Sequence, residues 1–295
     1  MMKQRFTLLG IRPSVSVAKL FKKIYILFMS KIDKGPNEWH LNIGKINLIY
    51  DTGDPYSKRW FYPRYAKGRI HEPVATKLFL DYIKCNSQVL DIGGHLGYFS
   101  CIAGKLAGKG TVNVFEVDPK CIGLIDKNLE INSLTNVTVR NCAVSDKNEL
   151  VKIKQLANPH PGLVINSGLQ EKYIEVESIT IDDFVSRNNI KPDFIKIDVE
   201  GAEWNVLNGM KNVLAQDHLT ILVEIHVDNL KEYFNVDYKD CLDILINNGF
   251  ILENIEHRST ESSFKIADKN TILKGNTMLL CKKNKPTITK ETACN

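Results

Sequence analysis

The sequence contains no long uninterrupted apolar run, no C-x-x-C pair and no large excess of charge of one sign. A membrane-spanning helix needs about 20 predominantly apolar residues, so none is predicted. A formal net charge of +5 over 295 residues permits an anionic ligand but does not by itself indicate nucleic-acid binding. With 43% hydrophobic and 25% charged residues, the chain is expected to fold around a sizeable core.

The seven cysteines are odd in number, and several lie inside apolar stretches. Cysteine in such surroundings behaves as a small hydrophobic residue. We therefore expect reduced, buried thiols and a cytoplasmic protein.

Residues 1–69 are expected to form an N-terminal extension. Apolar residues recur at helical spacing over 17–32, with lysines on the remaining positions, which predicts an amphipathic helix packed on the domain or on another subunit. Peripheral contact with a membrane surface is the alternative interpretation. A short strand is expected at 44–51, and the aromatic, basic stretch 52–68 is either a lid over a site or a flap covering the sheet.

Residues 70–283 alternate between strand-like and helix-like stretches, and the polar tail 284–295 is expected to be disordered. This alternation predicts an α/β domain with a mostly parallel sheet and helices on both faces. Residues 150–155 and 172–179 predict an antiparallel insert. The main strands are predicted at 88–92, 111–116, 136–144, 193–199, 218–227, 251–255 and 271–283, and the helices at 71–84, 97–108, 119–132, 202–216 and 237–248.

The sequence also lacks the G-x-G-x-x-G fingerprint of dinucleotide-binding sheets, and the first main strand runs instead into DIGGHLG at 91–97. Ligands of parallel sheets bind beyond the carboxyl ends of the strands. An acid such as Asp91 would repel a pyrophosphate there but suits a cationic amine. The glycines Gly93, Gly94 and Gly97 would admit a ligand to the backbone, although the same residues could simply make a tight turn.

A second acid, Glu116, ends the next strand in the stretch VFEVDP, where a carboxylate can bind both hydroxyls of a ribose. Asp91 could bind an amine, the glycines would allow close approach of a ligand, and Glu116 could bind a ribose. This combination fits S-adenosylmethionine better than NAD. An adenine contact is expected from the end of the third strand, around Asn141, Cys142 and Ala143.

Charged residues also end the fourth and fifth main strands. Lys196, Asp198 and Glu200 close a buried strand in the stretch 192–210, where burying charge is costly unless it is paired or functional. Glu224 and His226 alternate on the fifth strand and therefore share one face. These residues are expected to act as a base or to position an acceptor, with purely structural pairing and a divalent metal site as the alternatives.

Taken in order and spacing, these stretches resemble the FkbM family of S-adenosylmethionine-dependent methyltransferases. The residues that carry the resemblance are DIGGHLGYFS, VFEVDP, AVSDKNE (143–149), ITIDDFV (179–185) and PDFIKIDVEGAEWNVLNGM (192–210). The resemblance extends from about residue 70 to 226, with weaker similarity in the TGDPYSKRWFYPRY region.

The resemblance implies a class I methyltransferase fold, with a seven-stranded sheet and a reversed final strand. It implies methyl transfer, usually to a hydroxyl and often on a sugar or natural product. By position, the loop from Asp91 to Gly97 becomes the methionine side of the cofactor site, and Glu116 with Val117 its ribose side. Asp198, also counted with the cofactor site, and Glu200 become active-site acids, while His95 stands at a position where the resemblance implies asparagine.

The predicted function is therefore S-adenosylmethionine-dependent O-methylation of a sugar, a glycolipid or a related small molecule. The catalytic candidates are Asp198, Glu200, Glu224 and His226, and a metal is not expected. RNA methylation is the second enzymatic interpretation, because exposed aromatics beside basic residues at 56–65 would suit base stacking, although no RNA-binding module is recognisable. A cofactor-binding scaffold without catalysis is the third.

Overall fold

The computed structural model describes residues 37–55, 57–58, 70–154, 173–256 and 263–283. Residues 40–50 and those from 70 onward belong to one compact unit, while the described residues 37–39 and 51–58 belong to a second. The amphipathic helix predicted at 17–32, most of the predicted lid loop and the tail 284–295 lie outside the described residues.

The described chain forms thirteen strands and eight helices. The strands are β1 Glu38–Ile43, β2 Ile46–Asp51, β3 Gln88–Ile92, β4 Thr111–Glu116, β5 Val137–Asn141, β6 Ala143–Val144, β7 Leu150–Lys154, β8 Tyr173–Ile179, β9 Phe194–Ile197, β10 Thr220–His226, β11 Phe250–Ile255, β12 Phe264–Ala267 and β13 Asn276–Lys283. The helices are α1 Pro73–Tyr82, α2 Tyr98–Ala107, α3 Pro119–Ile131, α4 Ile181–Asn188, α5 Glu203–Asn208, α6 Lys211–Leu214, α7 Val227–Phe234 and α8 Tyr238–Asn247.

An eight-stranded sheet carries the larger unit, in the order β12-β11-β13-β10-β9-β3-β4-β5. The strands from β10 to β5 run parallel to their neighbours, and β13 lies antiparallel between β10 and β11. The predicted α/β fold with a reversed final strand is confirmed. The eighth strand, β12, was not predicted, because three of its four residues are exposed and leave no buried alternation to recognise.

Two predicted elements are divided in the structure. The third strand predicted at 136–144 becomes β5 and β6, and β6 joins the antiparallel pair β7–β8 in a separate three-stranded sheet. The helix predicted at 202–216 is broken into α5 and α6 at Gly209. A Cβ on Gly209 would stand 2.0 Å from the carbonyl oxygen of Ser145, so the backbones there approach too closely for a side chain.

The central strands are buried on both faces, as apolar runs in a parallel sheet require. Leu90, Ile195 and Val223 have no exposed surface. The polar exceptions on β3, β4, β9 and β10 are Asp91, Asn113, Glu116, Lys196, Glu224 and His226, all buried. Except for Asn113, these residues lie toward the carboxyl ends of their strands. Most of the buried charge of the sheet is therefore found where these parallel strands end.

The cysteine prediction is confirmed at five positions and wrong at one. Free, buried thiols are found at Cys101, Cys121, Cys142, Cys241 and Cys281. Cys85 is disulfide-bonded. Among the described residues, no helix has both the length and the apolar character that a bilayer crossing demands.

Local capping reinforces the helix that follows β10 and α7. Asp237 precedes α8, and its side chain accepts a hydrogen bond from the backbone N–H of Lys239 at 3.0 Å. Replacing an N-cap of this kind by alanine costs about 1 kcal/mol. We expect Asp237→Ala to lower the melting temperature by about 2–4 °C, measured by circular dichroism. Asp243→Ala, on the exposed side of the same helix, is the control, and an equal loss in both variants would contradict the cap.

Candidate functional site

The loop after β3 is packed tightly onto the end of β9. The backbone N–H groups of Gly93 and Gly94 donate to the carbonyl oxygen of Phe115 at 2.9 and 3.2 Å. Gly93 has φ +89°, and a Cβ there would lie 1.9 Å from the carbonyl oxygen of Asp198. Protein packing alone therefore demands glycine at 93, so this glycine is not in itself evidence of a ligand.

Asp91 lies beneath this loop, with only 1% of its surface exposed. Its Oδ2 accepts a hydrogen bond from Ser100 Oγ at 2.6 Å, and its Oδ1 lies 3.7 Å from Lys196 Nζ. Burial raises the pKa of the Asp91 carboxyl, although Lys196 and Ser100 oppose that rise. No hydrogen bond to the buried Oδ1 is present among the described residues.

Glu116, at the end of β4, binds the same loop. Its Oε2 accepts from the backbone N–H of His95 at 2.7 Å, and its Oε1 accepts from those of Val117 and Asp118 at 2.8 and 2.9 Å. Burial raises the pKa of Glu116 to about 7, against the lowering effect of these three donors. His95 adopts φ 51°, a left-handed conformation that its bond to Glu116 holds.

Asn141, the first of the residues predicted near an adenine, pairs with Glu116 across β5 and β4. Asn141 Nδ2 donates to the carbonyl oxygens of Glu116 and Val117 at 3.2 and 3.3 Å. Cys142 and Ala143, which follow it, are buried. The structure therefore brings together the predicted loop and both strand ends, on β4 and β5.

A second group of charges lies at the ends of β9 and β10. Lys196 is 2% exposed, and its Nζ lies 3.2 Å from Asp198 Oδ2 and 3.5 Å from the carbonyl oxygen of Gly93. Burial would raise the pKa of Asp198, but the positive charges of Lys196 and His226 outweigh it and hold that pKa well below its ordinary value. Asp198 is therefore an anion at neutral pH.

Asp198, Glu224 and His226 converge, as their strand positions suggested: each offers a ligand atom, and these atoms lie within 4.8 Å of one another. His226 Nε2 lies 3.4 Å from Glu200 Oε2 and 3.8 Å from Asp198 Oδ1. The backbone of Glu200 is left-handed at φ 54°, and Asn229 Nδ2 donates to its carbonyl oxygen at 3.1 Å.

One functional candidate was missed by the sequence analysis. Glu203, at the start of α5, is fully buried, and its Oε1 lies 2.8 Å from His226 Nδ1. Burial would lower the pKa of His226, but the hydrogen bond and charge of Glu203, with Asp198 and Glu200, raise it to about 10. In the sequence, Glu203 looked like an ordinary acid in a first helical turn, and its partner stands 23 residues away.

The trio of Asp198, Glu224 and His226 also has the composition of a divalent-cation site. Lys196 already places a positive charge 3.2 Å from Asp198. We therefore interpret these residues as an acid–base cluster, the "carboxylate cluster" of Asp198, Glu200, Glu224 and His226.

Comparison with known proteins identifies related sequences. The family model described as "Methyltransferase FkbM domain" matches residues 91–252, more than half of the chain. Hexuronic acid methyltransferase AglP of Haloferax volcanii is 26% identical over 174 residues, which are 57% of this chain and 65% of AglP. Methyltransferase 1 of Beauveria bassiana is 23% identical over 149 residues, 42% of this chain and 59% of that protein. The chain thus spans less than two thirds of either relative.

Solved structures are similar at lower identity. Methyltransferase FkbM from Methylobacillus flagellatus is 13% identical with a TM-score of 0.42, covering 90% of this chain and 60% of that one. A SAM-dependent O-methyltransferase from Thermotoga maritima is 13% identical with a TM-score of 0.40, covering 72% of this chain and 66% of that one.

The close approach at Gly93 gives a direct test of the site's architecture. Gly93→Ala would place a methyl group against the Asp198 carbonyl in a backbone conformation that alanine avoids, so we expect a loss of about 2 kcal/mol or more in the free energy of unfolding. Gly123→Ala is the matched control, because Gly123 is exposed on α3 with no atom within 4 Å of a new Cβ. It should gain about 0.5–1 kcal/mol. Urea unfolding of both variants measures the difference, and equal stabilities would contradict the packing described.

Proposed function

The chain belongs to the FkbM methyltransferase family, and we propose from this premise that it transfers the methyl group of S-adenosylmethionine to a hydroxyl. The acceptor we propose is a sugar, a glycolipid or a related small molecule. The observation that carries the proposal is the carboxylate cluster at the ends of β9 and β10, beside the loop that follows β3.

In this proposal the β3 loop and the ends of β4 and β5 hold the cofactor. The buried Asp91 Oδ1 offers an acceptor for a cationic amine. Glu116 Oε1 already accepts two hydrogen bonds, whereas Oε2 accepts one and retains capacity for a ribose hydroxyl. The backbone of Gly93, Gly94, His95 and Gly97 would line the methionine side. Val117, Asn141, Cys142 and Ala143 would line the ribose and adenine side.

The cofactor supplies an already activated methyl group. The protein must align the acceptor hydroxyl and take its proton, and a positioned base of this kind contributes about 10²–10⁴-fold. The side chains of Asp198 and Glu200 are each 27% exposed, whereas that of His226 is 1% exposed. We assign the base to these two carboxylates, because His226, with a pKa raised to about 10 by Glu203, is protonated at neutral pH.

The charge around the cluster favours a neutral hydroxyl over a carboxylate as the methyl acceptor. The carboxylate cluster and its neighbours Asp91, Lys196 and Glu203 together contain five carboxyl groups and two basic side chains. A further anion would be repelled there, whereas a hydroxyl can donate a hydrogen bond to a carboxylate. One relative is named for a hexuronic acid, a sugar acid that carries hydroxyls as well as a carboxyl group.

The first experiment uses S-adenosylmethionine with a labelled methyl group and fractionated extract of the source cell. Label in a glycan or glycolipid fraction that resists mild alkali is a methyl ether and supports the proposal. Label that mild alkali releases is a methyl ester, and it would show that the acceptor is a carboxylate instead of the proposed hydroxyl. Label in RNA would favour the second enzymatic interpretation, and cofactor binding without transfer to any fraction would favour a scaffold.

Removing the charge of Asp198 tests the proposed base. We expect Asp198→Asn to lower kcat by about 10²–10⁴-fold, with S-adenosylmethionine affinity measured separately by calorimetry. Asp126→Asn, an exposed substitution on α3, is the control. Transfer at the wild-type rate by Asp198→Asn would exclude Asp198 as the base.

Activity that survives chelation with EDTA in the wild type would argue against a metal in the same cluster.

The buried carboxyl of Glu116 predicts a pH dependence of cofactor binding. Because its pKa is raised to about 7, the group gains its charge as pH rises through 7, and a ribose hydroxyl bonds best to the charged form. We expect S-adenosylmethionine to bind more tightly at pH 8.5 than at pH 5.5, measured by calorimetry. Glu116→Gln should lose this slope and Glu130→Gln, exposed on α3, should keep it. An unchanged slope in Glu116→Gln would reject the ribose contact.

A further inference from the structure

The contact between Glu203 and His226 is unusual because both groups are almost entirely enclosed. The Glu203 side chain is 0% exposed and that of His226 is 1% exposed. The second oxygen of Glu203, Oε2, and His226 Nε2 have no hydrogen-bond partner within the described residues. A buried carboxylate costs several kcal/mol unless it is paired, so His226 is the group that compensates Glu203.

A purely structural role for Glu203 has some support. Glu203 begins α5, and its Oε1 accepts a hydrogen bond from the backbone N–H of Gly201 at 2.9 Å. An acid in the first turn of a helix stabilises that end by itself. This role does not account for the direction of the imidazole, which presents Nδ1 to Glu203 at 2.8 Å and Nε2 to Glu200 at 3.4 Å.

We propose that Glu203 is a positioning residue for methyl transfer, fixing the His226 ring through Nδ1 so that Nε2 faces the two partly exposed carboxylates, Asp198 and Glu200. This inference rests on the proposed function, because those carboxylates are where the acceptor hydroxyl would lie. The positive charge at Nε2, 3.4 Å from Glu200 Oε2 and 3.8 Å from Asp198 Oδ1, then favours the charged form of both carboxylates. Glu203 acts only through His226 and touches neither cofactor nor acceptor.

The charge state of His226 follows from all the groups around it. Glu203 contributes the largest favourable effect on the charged ring, which is why the pKa rises to about 10 despite burial. Removing the charge of Glu203 should move that pKa down toward the ordinary value of about 6.5. The titratable and charged groups that face this environment lie on four elements and the turn after β9. They are Lys196 on β9, Asp198 and Glu200 in the turn that follows it, Glu203 on α5, Glu224 on β10 and Cys241 on α8.

The test uses Glu203→Gln, which keeps the size of the side chain and an acceptor for Gly201. Histidine-selective ¹⁵N labelling of the full chain follows the His226 ring, whose signal is identified by its loss in His226→Gln. We expect Glu203→Gln to lower the His226 pKa by about one unit or more. In Glu203→Asp, which keeps the negative charge, the His226 pKa should be higher than in Glu203→Gln. Glu232→Gln, exposed on α7, should titrate like the wild type.

Kinetics then separate positioning from structure. In Glu203→Gln we expect kcat to fall by about tenfold or more and the alkaline limb of the pH profile to move to lower pH, with the KM for S-adenosylmethionine unchanged. An unchanged His226 titration would overturn the inference, and so would a lowered pKa with wild-type kcat and pH profile. If the wild type methylates no acceptor, the proposed function fails while the ring titration still decides whether Glu203 controls His226.

Discussion

A buried ammonium group holds the ends of two central strands together. Lys196 Nζ lies 3.2 Å from Asp198 Oδ2 and 3.7 Å from Asp91 Oδ1, and it also donates to the carbonyl oxygen of Gly93 at 3.5 Å. Without this cation, two carboxyl groups would face each other beneath a loop that is too tightly packed for a side chain at 93. The cost of burying each charge is therefore met by the others, and the geometry of the loop depends on all of them.

The alternation of positive and negative groups extends from Lys196 into the carboxylate cluster. Asp198 is followed by His226 and then by Glu203, so negative and positive groups succeed each other from the β3 loop to α5. Each cation holds a carboxylate on either side, and the groups are fixed before any ligand arrives. Preorganised charges of this kind require little rearrangement during a reaction.

The sequence predicted those parts of the molecule that depend on neighbours along the chain. Apolar runs ending in charge revealed β9 and β10, and alternation placed Glu224 and His226 on one face. It could not reveal Glu203, whose partner is 23 residues away, because an acid in the first turn of a helix is equally typical of a solvated helix end. It could not show the contact that requires glycine at 93, because the carbonyl group that a side chain would meet there belongs to Asp198, which follows β9 far along the chain.

The arrangement of the cations bears on what the site can accept. Lys196 and His226 are both buried and both already lie against carboxylates of the protein, whereas Asp198 and Glu200 are the members that reach solvent. The surface offered to an acceptor by this cluster is therefore made of hydrogen-bond acceptors. A carboxylate nucleophile would need a cation that the cluster uses internally, while a hydroxyl needs only a group to which it can donate its proton. The same pairing that stabilises the buried charges thus favours a neutral, hydroxyl-bearing acceptor.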